Sequence, residues 1–462
     1  MNRVLIKDAT IKIWLGSYII LILSALLGAF IFIFLAVVLV AIYSKVKIKI
    51  YGAVFLALLP MLPSELGVVI GGIGINYLFT MYYPLLLVLC ILVPLLLSSS
   101  FTKINLTDKI MIMYVILLCV LTYRAPNITS SIRDIFIIIL TILVPYFSFS
   151  LNLKSYEDFE VIAKGMVVMS IFLSAISLYE VIFHWTYFKY LFSRDLFVVP
   201  GYYFSQYSRG EYVRAVSSVG APIPLSYYLV VSLIFGYFLY SVQIFKKSSL
   251  YIYSLMIALS IYFTGSRAGV MSIALLAILL IRLSIVSRSK RHFIDASLVL
   301  TIIMAFVLWP DINVGDEYGT FQYRVDLIKT SFVIFLDNFL FGSDDYMAGL
   351  ESLRQGQGII DIVNTYVRVA LSSGMVGLLL FILVFVTIIR ALSKIINIPD
   401  VKNILYEKKI AKFLLVACIV TSVFIGTVSS VGIIPYLFWS LLGIASAFIK
   451  LYAQQTAKNL HG

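Results

Sequence analysis

Apolar runs of about 17–25 residues recur along the whole chain, broken by short polar or basic stretches, which is the pattern of helices that cross a bilayer repeatedly. The runs fall near 11–25, 27–43, 50–64, 75–98, 109–123, 132–150, 160–183, 219–243, 250–265, 268–286, 293–309, 364–391, 410–430 and 433–451. This reading gives an all-α polytopic membrane protein of about 14 transmembrane helices (12–14 if short runs are re-entrant), forming one integral membrane domain over 1–462. The first stretch, Ile11–Ile42, is far too long for a signal peptide and lacks a convincing small-residue cleavage site.

Short basic loops orient the set. "SKVKIKI" at 44–50, Lys246-Lys247, "SRSKRH" at 287–292 and "YEKKIAK" at 406–412 are expected on the cytoplasmic side. Two connections are long, 184–218 and 310–363, and both then fall outside. The second contains an amphipathic run, with Val325, Ile328, Phe332, Phe335, Leu336 and Phe339 at helical spacing, which predicts a helix along the outer interface.

Composition agrees: 62% of residues are hydrophobic, 12% are charged and mean hydropathy is +1.05. Cys90, Cys119 and Cys418 sit in apolar runs at unrelated spacings and read as buried hydrophobes. The net charge of +13 divides into +16 inside and −3 outside, so it reports topology and excludes nucleic acid as the partner. The cations also sort by type. Arg124, Arg133, Arg194, Arg209, Arg214, Arg267, Arg324, Arg354 and Arg368 are placed outside, with only Lys189 and Lys329 beside them. Arginine grips phosphate with a planar fork, so this distribution fits a phosphorylated ligand at the membrane surface; pairing with external acids such as Asp326 or Asp361 is the structural alternative.

Arg267 is the only charged residue from Leu250 to Leu280. Its run is bounded by basic residues on both sides, so it reads as a hairpin with "TGSR" at the outer turn. Arms of about 15 residues, roughly 23 Å, are shorter than the hydrocarbon core, so the turn is expected to sink below the surface. A guanidinium there calls for a wet cavity or an anion.

These segments resemble the O-antigen ligase and Wzy-type polysaccharide polymerase superfamily. The resemblance rests on "VRAVSSVGAPIPLSYYL" (213–229), "TGSRAG" (264–269), "YRVDLIKTSFVIFLDNFLFGSDDY" (323–346) and "DIVNTYVRVALSSGMVGLLLF" (361–381), with "GIIPYLFWSLLGI" (432–444) as the last helix. It implies a bacterial cytoplasmic (inner) membrane enzyme whose active site faces the periplasm. Polymerases of this kind move a growing glycan from a polyprenyl diphosphate to the next lipid-linked repeat unit, and ligases move it onto a lipid A core. Ligases carry a histidine in the large loop beside the Asn-x-Tyr element, where this chain has Val363 before Asn364. That departure favours a polymerase of a surface polysaccharide, O-antigen or capsule. The implied partners are the lipid-linked oligosaccharide, membrane lipid, a chain-length regulator and a flippase.

On that resemblance, Arg214, Arg267 and Arg324 are expected to clamp the leaving diphosphate, where charge builds as the anomeric bond breaks. No His, Cys or carboxylate cluster has convincing ligand spacing, so catalysis is expected without metal or cofactor. Asp361, Asp326, Asp344, Asp345 and Glu211 are all open as the general base, and Asp361 stands out for its place near that of the ligase histidine, two residues off. Asp361 has a capping or ion-pair role as its alternative. Arg209, Tyr212, Lys329, Asn364, Tyr366 and Arg368 are the expected substrate-binding residues; Asn364 and Tyr366 would otherwise cap and anchor the helix they open. Gly265, Gly269, Gly374 and Gly377 read as packing or turn glycines. A flippase or transporter is the rival from another class, and the near absence of charge within the spans and of an internal repeat speaks against it.

Overall fold

The computed structural model describes residues 51–72, 75–99, 104–186, 208–209, 212–284, 320–354, 360–398 and 405–461. The expected spans 11–25, 27–43 and 293–309, and most of the loop 184–218, lie outside them. In chain order the described elements begin with α1 (Tyr51–Leu58), β1 (Gly67–Gly72), β2 (Ile75–Tyr82) and α2 (Tyr83–Leu97). The long helices α3 (Leu106–Arg124), α4 (Ile128–Asn152) and α5 (Tyr156–Ile182) follow, then the short strands β3 (Ser208–Arg209) and β4 (Tyr212–Val213). The second half holds α6 (Pro222–Ser241), α7 (Lys247–Phe263), α8 (Arg267–Ser284), α9 (Thr320–Asp337), α10 (Thr365–Ile396), α11 (Leu405–Ile425) and α12 (Ile434–His461).

Among the described residues, six helices are long and apolar enough to cross a membrane: α3, α4, α5, α6, α10 and α12, the last counted to Ala457. The chain is a polytopic, mostly helical membrane protein. Burial divides these helices by position. The apolar window of α6 is 83% buried and that of α12 78%, against 28% for α3 and 33% for α10, so α6 and α12 are central while α3 and α10 face outward. α6 packs on α5, α7, α8 and α11; α12 runs along α4; α10 lies on α3 and α11.

One expected span is corrected. Residues 75–82 are a strand, paired antiparallel with β1 from Gly67↔Tyr82 to Gly72↔Ile75, and helix begins only at Tyr83. Gly67, Gly71, Gly72 and Gly74 deprive this stretch of helix propensity, and its Val, Ile, Tyr, Phe and Thr favour a pleated surface. With the second small ribbon, β3–β4, the described chain is therefore not strictly all-α. Prolines shape the rest. Pro60 and Pro63 end the expected span 50–64 after the eight residues of α1. In α2 and α4, π-helical turns at Val88–Leu92 and Ile139–Leu143 precede Pro94 and Pro145, whose missing N–H breaks the regular ladder.

The helices alternate in direction, so the described charges sort by end. Arg124, Arg133, Arg214 and Arg267 lie at one end, at the C-terminus of α3, in the first turns of α4, before α6 and at the start of α8. Lys109, Lys154, Lys246, Lys247, Lys394 and Lys450 gather at the other. The lysine end is locked by a buried network. Asp108, fully enclosed, accepts from Tyr146, Ser150 and Ser446 at 2.8, 2.8 and 2.9 Å and pairs with Lys450 at 3.0 Å, joining α3, α4 and α12. Every partner is satisfied, so the burial of charge there is compensated.

The amphipathic run folds as α9, and its two apolar faces differ. Leu327 is buried with Leu350, Ile362 and Leu371, while Ile328, Phe332, Val333 and Leu336 are exposed. The segment after α9 enters a break in α10, where Gly374 has φ +65°. There Met375 and Val376 donate their N–H to the carbonyls of Phe339 and Leu340, and Ser343 donates to that of Leu371. The interrupted ladder of α10 is thus completed by another strand of backbone, as an apolar setting requires. Gly342, at φ +70°, permits the same approach: a Cβ there would lie 2.7 Å from the Gly374 nitrogen.

Candidate active site

The "TGSRAG" stretch links α7 to α8, and four of its residues, Thr264, Gly265, Ser266 and Gly269, shape the turn. Thr264 closes α7: its hydroxyl donates to the Ile261 carbonyl at 2.7 Å and accepts from the Ser266 N–H at 3.1 Å. Gly265 takes φ +61°, which a side chain would strain. Ser266 caps α8 by accepting from the Gly269 N–H at 3.3 Å. Gly269 lets α8 close on its neighbours, since a Cβ there would sit 2.9 Å from both Ile261 and Ser226. Arg267 is the first residue of α8 and is half-buried. A helix N-terminus disfavours a cation, so local stability does not account for an arginine there.

Arg214 arrives at this turn from fifty positions away. Its Nε donates to the Thr264 carbonyl at 2.7 Å, and the next residue, Ala215, donates its N–H to Phe263 at 2.9 Å. A Cβ on Gly265 would lie 3.2 Å from Arg214 Nε, so the glycine also leaves room for the guanidinium. The structure therefore brings Arg214 onto the turn that presents Arg267. The backbones of Arg209 and Tyr212 are paired in register across β3–β4, directly before Arg214.

The residue holding this strand was not singled out in the sequence. Glu180, buried at the end of α5, accepts from the N–H groups of Val216 and Ser217 at 2.9 and 2.7 Å on one oxygen. Ser217 sits at φ +48°, a backbone state maintained by these bonds and by its hydroxyl donating to Leu173. An acid at the end of an apolar span was the available signal; its partners, 36 and 37 positions on, were not legible.

The other expected residues gather around the start of α10. Asn364 caps that helix, its side chain accepting from the N–H groups of Tyr366 and Val367 at 2.9 and 3.2 Å. Tyr366 donates to the Ser422 carbonyl at 2.9 Å, so both residues take the capping and anchoring roles that were the alternatives to sugar binding. Asp361 is held on every side: its backbone exchanges hydrogen bonds of 2.9 and 3.0 Å with the Tyr323 hydroxyl, and its carboxylate accepts from Ser429. It ties α9 to the loop between α11 and α12. Arg324 and Lys329 are exposed on α9, whose contacts run to α10 and the Ala348–Leu353 turn. Arg368, one turn into α10, is exposed at the mouth of a cavity.

The described arginines at this end meet both acids and backbone carbonyls. Arg354 meets Glu351 at 2.6 Å and Arg133 approaches Asp134 at 3.8 Å, whereas Arg124 donates to the Phe341 and Gly342 carbonyls. Glu65, in the loop after α1, has its carboxyl pushed above the usual value by burial, against a 2.8 Å bond from Ser64.

No curated protein matches the chain. Residues 252–382, from α7 into α10 and including the "TGSRAG" turn, match the family model described as O-antigen ligase, in agreement with the O-antigen ligase and Wzy-type polymerase superfamily that these motifs resemble.

Proposed function

We propose that the protein is a membrane-embedded glycosyltransferase, a polymerase of a surface polysaccharide, working at the arginine end on the outer face of the bacterial cytoplasmic membrane. The observation that carries this reading is the meeting of Arg214 with the Thr264–Gly265 turn beside Arg267, a turn that lies within the residues matching the family. In the reaction the acceptor hydroxyl oxygen bonds to the anomeric carbon of the donor glycan. The bond from that carbon to the diphosphate breaks, the polyprenyl diphosphate leaves with the electron pair, and the hydroxyl proton passes to a carboxylate. Arg214, oriented by its bond to Thr264, and Arg267 supply fixed positive charge for the leaving diphosphate, an effect worth roughly 3 kcal/mol per donor in preorganised sites. The N-terminal amides of α8 add to the same field.

A ligase is the second reading, favoured by the description of the matched family. The sequence around Asn364, without a neighbouring histidine, supports the polymerase instead. The surface glycan ladder of a deletion strain separates them. Loss of the ladder with a single capped repeat unit remaining is the expected result; loss of that band as well would replace the polymerase with a ligase or flippase.

A further inference from the structure

Between α3, α4, α10 and α12 lies a cavity of about 500 Å³, within the range of ligand sites. Its mouth at the arginine end carries Arg124, Arg368, Asp134 and Asp344. Its floor, roughly 20 Å further along α10, is closed by the rings of Tyr114, Phe381 and Trp439, packed on one another at 5.7–5.9 Å. Leu118, Ile137 and Ile142 form the walls between. One end is thus charged with both signs and the other is aromatic and apolar.

The mouth is a constructed feature. Asp344, Tyr346 and Met347 cover it immediately after the segment that enters the break in α10, and Arg124 fixes that segment by donating to the carbonyls of Phe341 and Gly342 at 3.0 and 2.8 Å. Arg368, exposed and part of the cavity lining, makes no side-chain hydrogen bond with the described residues. The loop between α11 and α12 connects this cavity to the arginine turn. Ser430 and Ile434 line the cavity, while a Cβ on Gly432 of the same loop would touch Ser64 and Pro224, in the first turn of the helix that follows Arg214.

A fully polar ligand leaves the apolar walls of the shaft unfilled, and a hydrocarbon leaves the charged mouth without a partner. Carboxylates accept from sugar hydroxyls, arginine meets phosphate and the apolar shaft takes a chain. We propose that this cavity binds the acceptor, a lipid-anchored saccharide phosphate, across the α11–α12 loop from the donor diphosphate. The assignment rests on the transferase reading for the role of the ligand, but not for its chemistry.

Native mass spectrometry of the full chain in detergent tests it, with farnesyl-diphosphate-linked N-acetylglucosamine as probe. Wild type should carry two copies, and Arg267→Ala should remove one. Leu118→Trp, which fills the shaft, and Arg368→Ala, at the exposed mouth, should each remove the other. Two copies retained in both cavity variants would overturn the proposal and leave the donor reading intact. Loss in the cavity variants alone, with Arg267→Ala still binding two, would uphold the cavity and overturn the donor site. Farnesyl diphosphate without the sugar should fill the cavity at least tenfold more weakly; equal filling would mean a lipid phosphate site and overturn the saccharide assignment.

Discussion

Arg214 donates from Nε to the carbonyl of Thr264 at 2.7 Å, beside Gly265, where a Cβ would lie 3.2 Å from that nitrogen. Gly265→Ala introduces a methyl 3.2 Å from that nitrogen and strains a residue at φ +61°, at a cost of about 1–3 kcal/mol. Glycan polymerisation should fall at least tenfold while the protein still inserts and purifies. Full activity at normal expression would mean that the Arg214–Thr264 geometry is irrelevant to turnover.

Glu180 acts on Arg214 indirectly, through the backbone of Val216 and Ser217. Glu180→Ala strips two buried N–H groups of their acceptor and should cost roughly 2–4 kcal/mol, read as a lower melting temperature in detergent together with lost activity. Glu180→Gln keeps an acceptor oxygen and should preserve most of both. Equal behaviour of the two variants would show that the hydrogen bonds do not position the strand.

Glu65 gives a pH dependence with a definite sign. Burial raises its carboxyl above the ordinary 4.5, so the folded chain holds the proton more tightly than the unfolded one. Its contribution to stability is fully present below the unfolded value and is lost as pH rises through the raised folded value. Glu65→Gln does not titrate, so its melting temperature relative to wild type should rise as pH climbs from the ordinary 4.5 through the raised folded value. A constant difference across that range would contradict the burial of the carboxylate.

The break in α10 makes Gly374 intolerant of any side chain. A Cβ there would lie 2.4 Å from the Leu340 backbone, at φ +65°. Gly374→Ala should destabilise the protein by roughly 2–4 kcal/mol, from backbone strain and overpacking together, and reduce the yield of monodisperse protein in detergent. Normal yield and melting would show that Phe339–Ser343 does not occupy the break.

Where local pattern decides structure, the chain was readable. The runs that became α3–α8 and α10–α12 carry unbroken apolar sequence bounded by charge, and the sorting of arginine from lysine follows from the alternation of these helices. The strand at 75–82 was misread because apolar sequence rich in aromatic and β-branched residues matches a span in hydropathy and differs only in propensity. Gly374 looked like a packing glycine because the backbone that fills its break comes from Phe339–Ser343, more than thirty positions earlier. The isolation of Arg267 was visible, but neither its meeting with Arg214 nor the hold of Glu180 on that strand could be read, since both depend on tertiary contacts between distant segments. Asn364, Tyr366 and Asp361 were ambiguous in sequence for a similar reason: a cap and a ligand use the same atoms.

On the proposed function, Arg214 and Arg267 form the site of the leaving diphosphate. The most direct measurement is release of polyprenyl diphosphate from a lipid-linked repeat unit by purified protein in liposomes, comparing wild type with Arg267→Ala and Arg267→Lys. Arg267→Ala should lose at least a hundredfold in rate, and Arg267→Lys should recover only part of it, because a lysine keeps the charge without the planar fork. Wild-type rates in both variants, at equal incorporation, would contradict the clamp.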